Sequence, residues 1–173
     1  MSTLFVDTIN EKTSGNGVAI PGHVIQHKVH EVVTATAAHG VTAYTDLAGG
    51  SFSFTPKQSG SKLLITMINH IYIEQTGTSW GAAAGSLVVD GNRQSEKGNS
   101  GNSNAYGVGI RDTDGSTSSS TRVMGYEVQQ HEYTTTGTST ITIKSQHKVQ
   151  ADANAIRFNT YGRGSITVLE IAQ

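Results

Sequence analysis

Residues 61–74 carry the plainest pattern in the chain. Leu63, Ile65, Met67, Ile71 and Ile73 recur on one parity, while Leu64, Ile68 and Tyr72 share the other with Thr66 and His70. A period of two predicts an extended strand. A strand with one wet face alternates apolar with polar residues, whereas here both faces are apolar. One face is therefore expected to pack a core and the other to pack something outside it. The same two-sidedness returns near the C-terminus, with Ile166 and Val168 on one face and Leu169 and Ile171 on the other. A row of surface apolar side chains is unusual, unlike a single one. Leu64, Ile68, Tyr72, Leu169 and Ile171 are accordingly expected to form a subunit interface.

Short extended segments continue the pattern. His23–Thr34 is rich in Val and Thr and reads as a strand, although Val29, Val32, Val33, Thr36 and Ala37 also fit a helical stripe. Residues 41–47 and 51–55 read as two strands split by Gly49 and Gly50, and Pro56–Gly60 as a turn. Further strands are expected at 86–90, 105–111, 121–133, 139–147, 155–161 and 165–172. Two polar stretches, 91–104 and 112–120, read as long loops. About ten short antiparallel strands with Gly-rich turns predict an all-β sandwich or jelly roll. Before it, residues 1–22 hold two short apolar pieces, with Phe5, Val6 and Ile9 in the first and Val18 and Ile20 in the second. They are too few to form a core of their own, so they read as an attachment arm ahead of a head domain at 23–173.

Composition narrows the function. The chain has 173 residues, 20 Gly, only 14% charged residues and no Cys. Good helix formers are scarce. A net charge of -1 speaks against nucleic acid held on a basic surface. The absence of Cys removes disulfides and thiolate metal sites. The first ten residues have no basic region and carry Asp7 in their apolar stretch, so they do not read as a secretory leader. The longest apolar run, 63–68, is far short of a membrane span.

Three motifs resemble one known group. Val6-Asp7-Thr8-Ile9, followed by Thr13-Ser14-Gly15-Asn16-Gly17-Val18 and Ile20-Pro21-Gly22, is similar to the start of structural proteins of marine and cyanobacterial tailed phages. Phe54-Thr55-Pro56-Lys57 leading into Ser61-Lys62-Leu63-Leu64-Ile65, and the closing Ile166-Thr167-Val168-Leu169-Glu170-Ile171-Ala172, continue the resemblance. It implies a virion structural protein assembled in the host cytoplasm, most often a tail fibre or fibre-like appendage. It also implies a trimeric jelly roll similar to C1q and tumour-necrosis-factor heads. Other virion proteins would be met through the arm, and a host-surface glycan by the head. The alternative within the same resemblance is a capsid or tail decoration protein with no host ligand.

Candidate chemistry is thin. His23 and His27 lie ~13 Å apart in an extended chain, too far to share an ion. Asp112-Thr113-Asp114-Gly115 opens like a calcium loop, but Val123 stands where the closing Glu is needed. No phosphate loop occurs. The chain reads as neither an enzyme nor a holder of metal or cofactor. Trp80 sits in a Gly/Ser/Thr-rich stretch, where an aromatic side chain can stack on a sugar. With Arg93, Tyr106 and Arg111 on neighbouring loops, it forms the expected ligand-binding set.

Overall fold

The computed structural model describes residues 21–37, 43–76, 80–94, 108–111, 120–149 and 155–173. They form β1 Val24–Val32, β2 Thr36–Ala37, β3 Thr45–Phe54, β4 Lys62–Thr76, β5 Trp80–Val89 and β6 Asn92–Arg93. β7 Val108–Arg111, β8 Ser120–Thr134, β9 Ile141–Val149, β10 Ala155–Phe158 and β11 Gly164–Ile171 follow. No helix occurs among the described residues. The arm residues Phe5, Val6, Ile9, Val18 and Ile20 lie outside them, as do Tyr106 and the loop at 112–119.

The chain is all-β, folded as two antiparallel sheets in a sandwich. In the six-stranded sheet β4 is the hub. β8 pairs along its whole length, from Lys62↔Thr134 to Thr76↔Ser120. Its other edge is shared by β11, from Lys62 to Ile68, and β10, from Ile71 to Glu74. β1 and β2 then flank β11 and β10. The five-stranded sheet runs β3-β9-β5, with β6 and β7 on the outer edge of β5. Between the sheets Leu63, Ile65, Met67, Ile71 and Ile73 of β4 meet Leu87, Val89, Ile143, Phe54 and Phe158 in one fully buried cluster. The first of the two expected faces of residues 61–74 is thus the core face.

Three local expectations differ from the structure. Gly49 and Gly50 do not split a strand. β3 runs through them with a bulge between Asp46 and Ser51, and Gly49 takes a φ of 69° there. Trp80 is not in a loop but is the first residue of β5, paired with Arg111. Residues 91–104 are not loop throughout. Asp90 and Gly91, with φ of 49° and 79°, make a two-residue turn of the primed kind, and Asn92 pairs back to Val89.

One buried carboxylate ties the chain end to the turn between the sheets. Glu170 of β11 is fully buried. It accepts hydrogen bonds from the backbone N–H of Lys57 (2.9 Å) and Gln58 (3.0 Å), from Ser61 Oγ (2.7 Å) and from Gln26 Nε2 (3.3 Å). Ser61 and Gln58 in turn hold Thr135 at the β8–β9 connection, which donates from Oγ1 to the Gln58 carbonyl at 2.9 Å. Two of the sequence motifs, Pro56–Ser61 and the terminal Glu-Ile, therefore meet in space as one structural lock. Removing the carboxylate strands several buried donors, each costing about 1–3 kcal/mol. Glu170→Ala is expected to destabilise the fold by about 3 kcal/mol or more, with Glu170→Gln between it and wild type. Urea unfolding of the three chains checks this, and equal midpoints would contradict it.

Candidate functional site

The even-numbered residues of β4 face away from the core. Leu64, Thr66 and Ile68 are half-buried there, and their neighbours on β8 stand further out. The antiparallel register places Val128 beside Ile68, Tyr126 beside His70 and Met124 beside Tyr72. Met124, Tyr126 and Val128 each keep about three-fifths of their surface in water, at 63%, 61% and 59%. Tyr161 and Val29 on the same side of the sheet are likewise more than half exposed. Leu169 beside Leu64 and Ile171 beside Lys62 extend this face toward β1.

The apolar residues fall into two groups. Met124, Tyr126, Val128, Ile68 and Tyr161 make one, and Leu64, Leu169, Ile171, Val24 and Val29 make the other. A polar band of Thr66, Gln130 and Thr167 crosses between them, with Gln130 Nε2 donating to Thr66 Oγ1 at 3.2 Å. Ion pairs bracket the whole. Lys62–Glu132 (3.5 Å) lies at one end of the β4–β8 pair and Arg122–Glu74 (2.8 Å) at the other, while Arg163–Glu31 (3.0 Å) marks the β1 side. The Tyr72 hydroxyl and the Arg122 guanidinium hold the Glu74 carboxyl below its usual value. An apolar centre with a charged rim is the anatomy of a protein–protein interface.

Four of the five expected interface residues, Leu64, Ile68, Leu169 and Ile171, lie half-buried on this face. Tyr72 is already 6% exposed in a single chain. Tyr161 meets its ring edge-on at 4.9 Å, so Tyr161 presents the aromatic surface in its place. His70 is also buried, beside the Tyr126 ring at 5.2 Å and against Gly162. The contribution of β8 was not among the expected interface residues. Its alternation of Met124, Tyr126 and Val128 was the available signal.

The outer face of the other sheet is of a different character. Asp46 pairs with Lys144 at 2.7 Å and accepts from Gln146 at 2.7 Å. Arg93 donates to Gln146 at 3.1 Å and stacks over Tyr44 at 4.1 Å. Arg93 thus has a place in a charged network. Trp80 and Arg111 are brought together by the β5–β7 register. Arg93 pairs with Val88, eight residues further along β5, or roughly 26 Å. The structure does not gather the expected ligand set at one spot.

β8 is fastened to the second sheet by a buried carboxyl. Gly85 of β5 lies between the stretches covered by β7 and β6, and among the described residues its outer edge has no strand partner there. Its N–H donates to Glu127 Oε1 at 2.9 Å, and its carbonyl accepts from Gln129 Nε2 at 2.6 Å. Glu127 thereby replaces a ladder residue while its neighbours Tyr126 and Val128 point outward. A β-carbon at 85 would run into the Glu127 carboxyl, so a larger residue there requires that side chain to move. Burial pushes the Glu127 carboxyl above its usual value, against the hydrogen bonds from Gln129 and Gly85 that pull it down. Glu127 Oε2 and Asn69 Oδ1, on residues opposite each other in the register, are both buried without a hydrogen-bond partner. Burial likewise pushes the His147 imidazole of β9 below its usual value.

No protein-family model matches the chain, and no curated protein matches it. Among solved structures it is similar to dimeric latent PorU from Porphyromonas gingivalis, at a TM-score of 0.43 and 10% identity over 91% of this chain. The chain spans only 14% of the length of that one. It is also similar to the C-terminal domain of EclA, a sugar-binding protein, at a TM-score of 0.34 and 11% identity, covering 92% of this chain and 89% of that domain. At these TM-scores the likeness carries no functional argument.

A carboxyl that is more readily protonated when folded adds stability at low pH. That stability falls as pH rises from about 4.5, the ordinary glutamate value, and is gone once pH passes the raised native value. Glu127→Gln stays neutral throughout. Its melting temperature is expected to rise relative to wild type across that window. A difference that stays constant from about pH 4 to about pH 8 would contradict a raised Glu127 carboxyl.

Proposed function

We propose that the chain is a structural subunit of a tailed-phage virion, a fibre-like appendage without catalytic activity. In this reading the sandwich is a jelly-roll head. It forms a homotrimer through the outer face of the six-stranded sheet, and its arm joins other virion proteins. The head meets a glycan of the host surface.

The observation that carries the reading is the exposed apolar face on β4, β8, β11 and β1, set against a charged face on the opposite sheet. Covering each of Met124, Tyr126, Val128, Val29 and Tyr161 gains on the order of 1–2 kcal/mol. Together they offset the several kcal/mol that association costs. Rotational symmetry lets one such patch serve every copy. The resemblance of the Pro56–Ser61 turn and of the strand ending in Glu170 to phage structural proteins supplies the kind of particle. The contact between these two motifs supports reading them as one fold signature.

Sedimentation equilibrium of the full chain is expected to give three copies. The double variant Tyr126→Glu and Val128→Glu puts charges in the patch without touching the core, and is expected to give single copies with an unchanged β-sheet spectrum. A folded wild-type chain that stays single at micromolar concentration would overturn the assembly. Antibody labelling of phage particles then separates the two virion readings. Label at the tail supports an appendage, whereas label over the shell marks a decoration protein and overturns the appendage.

A further inference from the structure

The three connections at one end of the sandwich enclose a cleft of about 370 Å³. The β3–β4 turn contributes Pro56, the β5–β6 turn contributes Asp90, and the end of β8 with its connection to β9 contributes Tyr133, Thr136 and Ser139. The volume is within the range of small-molecule sites.

The walls are held in place by the chain itself. Gly60 N–H donates to the Thr135 carbonyl and Thr135 N–H to the Ser61 carbonyl, both at 2.9 Å. Thr55 and Thr140 join through their hydroxyls at 2.7 Å, and Asp90 N–H donates to the Thr142 carbonyl at 2.8 Å. Thr135, at the centre of this end, is also fixed by the Ser61–Glu170 lock. The cleft is therefore built before any ligand arrives, which limits the ordering cost of binding.

The lining chemistry selects the ligand class. There is no Lys, Arg or His among the lining residues, so the cleft offers nothing to neutralise a phosphate or a carboxylate. Asp90 is its sole carboxylate, and one carboxylate is too few to build a calcium site. What remains is an apolar part made by Pro56, Ile141 and Tyr133, and a polar part made by hydroxyls and one acid. Among the described residues the side chains of Asp90, Thr136 and Ser139 have no hydrogen-bond partner. A carboxylate accepts two hydroxyl donors, hydroxyls both give and accept, and an aromatic residue packs the C–H side of a pyranose ring.

We propose that this cleft binds a neutral sugar, a single pyranose unit with adjacent free hydroxyls held by Asp90 and set against Tyr133. The source of that sugar, a glycan end on a host surface, rests on the appendage reading above; the cleft and its ligand class do not.

Saturation-transfer NMR of the full chain tests it with glucose, galactose, mannose and N-acetylglucosamine at millimolar concentration. At least one is expected to take up saturation. Asp90→Asn keeps a residue that tolerates the positive φ at this turn and removes the charge, and is expected to weaken binding about tenfold or more. Ser139→Ala, on the exposed connection, is a second variant that leaves the turn untouched and is expected to weaken binding less. No transfer to any of the four sugars would overturn the site, and so would transfer that Asp90→Asn and Ser139→Ala both leave unchanged. Transfer abolished by Trp80→Ala but not by Asp90→Asn would also overturn it, by moving binding to the β5–β7 end. Sedimentation of the same samples keeps the two claims apart. An assembled chain that binds no sugar loses only the cleft, and a single-copy chain that binds sugar through Asp90 loses only the assembly.

Discussion

Every strand of the six-stranded sheet is attached to β4 directly or through one neighbour. That strand is apolar on both sides. A hub strand cannot turn one face to the core without turning the other away from it, because side chains alternate with a fixed period of two. The inward face closes the sandwich over Phe54, Leu87, Ile143 and Phe158. The outward face, widened by β8 and β11, leaves apolar side chains in water. The fold and the proposed assembly are two consequences of the same fifteen residues.

The buried polar groups do a different job. Three of them, Asn159, Glu127 and Glu170, serve backbone groups that no strand ladder satisfies. Asn159 fills the break on β4 between β11 and β10, accepting from His70 N–H and donating its own N–H to the His70 carbonyl, both at 2.9 Å. It takes a φ of 54° to do so, a conformation that Asn adopts more readily than most residues. Glu127 and Gln129 fill the break on β5 at Gly85. Glu170 collects the free N–H groups of the turn that carries the chain from one sheet to the other. A buried backbone group without a partner is costly, so these side chains let short strands share one long neighbour. The cleft at the turn end inherits its rigidity from the third of these contacts.

The sequence made the long strands legible because their apolar spacing is unambiguous. Residues 61–74 and 165–172 were correctly placed, as was the face of 61–74 that builds the core. Legibility failed where composition stood in for pattern. Ala82, Ala83, Ala84 and Gly85 lack β-branched residues, so β5 looked like the tail of a loop. They are small because β5 is buried at Ala83 and Ala84 alike, and because Glu127 occupies the space over Gly85. Gly49 and Gly50 looked like a break but allow a bulge. The Asp90-Gly91 turn was legible in principle, since that dipeptide favours a tight hairpin. The interior carboxyls were not. Glu127 meets Gly85 across 42 residues and Glu170 meets Lys57 across 113, and no local pattern announces such pairs. The cleft is equally invisible, because its walls come from three separate turns.

The account turns on whether the outward face of β4 and β8 is covered in solution. The chain has no cysteine, so a single one placed at 128 reports that face alone, and one placed at Ser53 on an exposed position of the opposite sheet serves as reference. The rate of alkylation by a small maleimide should be slow at 128 and fast at 53 in concentrated protein. On dilution through the dissociation range, the rate at 128 should climb to that at 53. Equal and concentration-independent rates at the two positions would contradict the account.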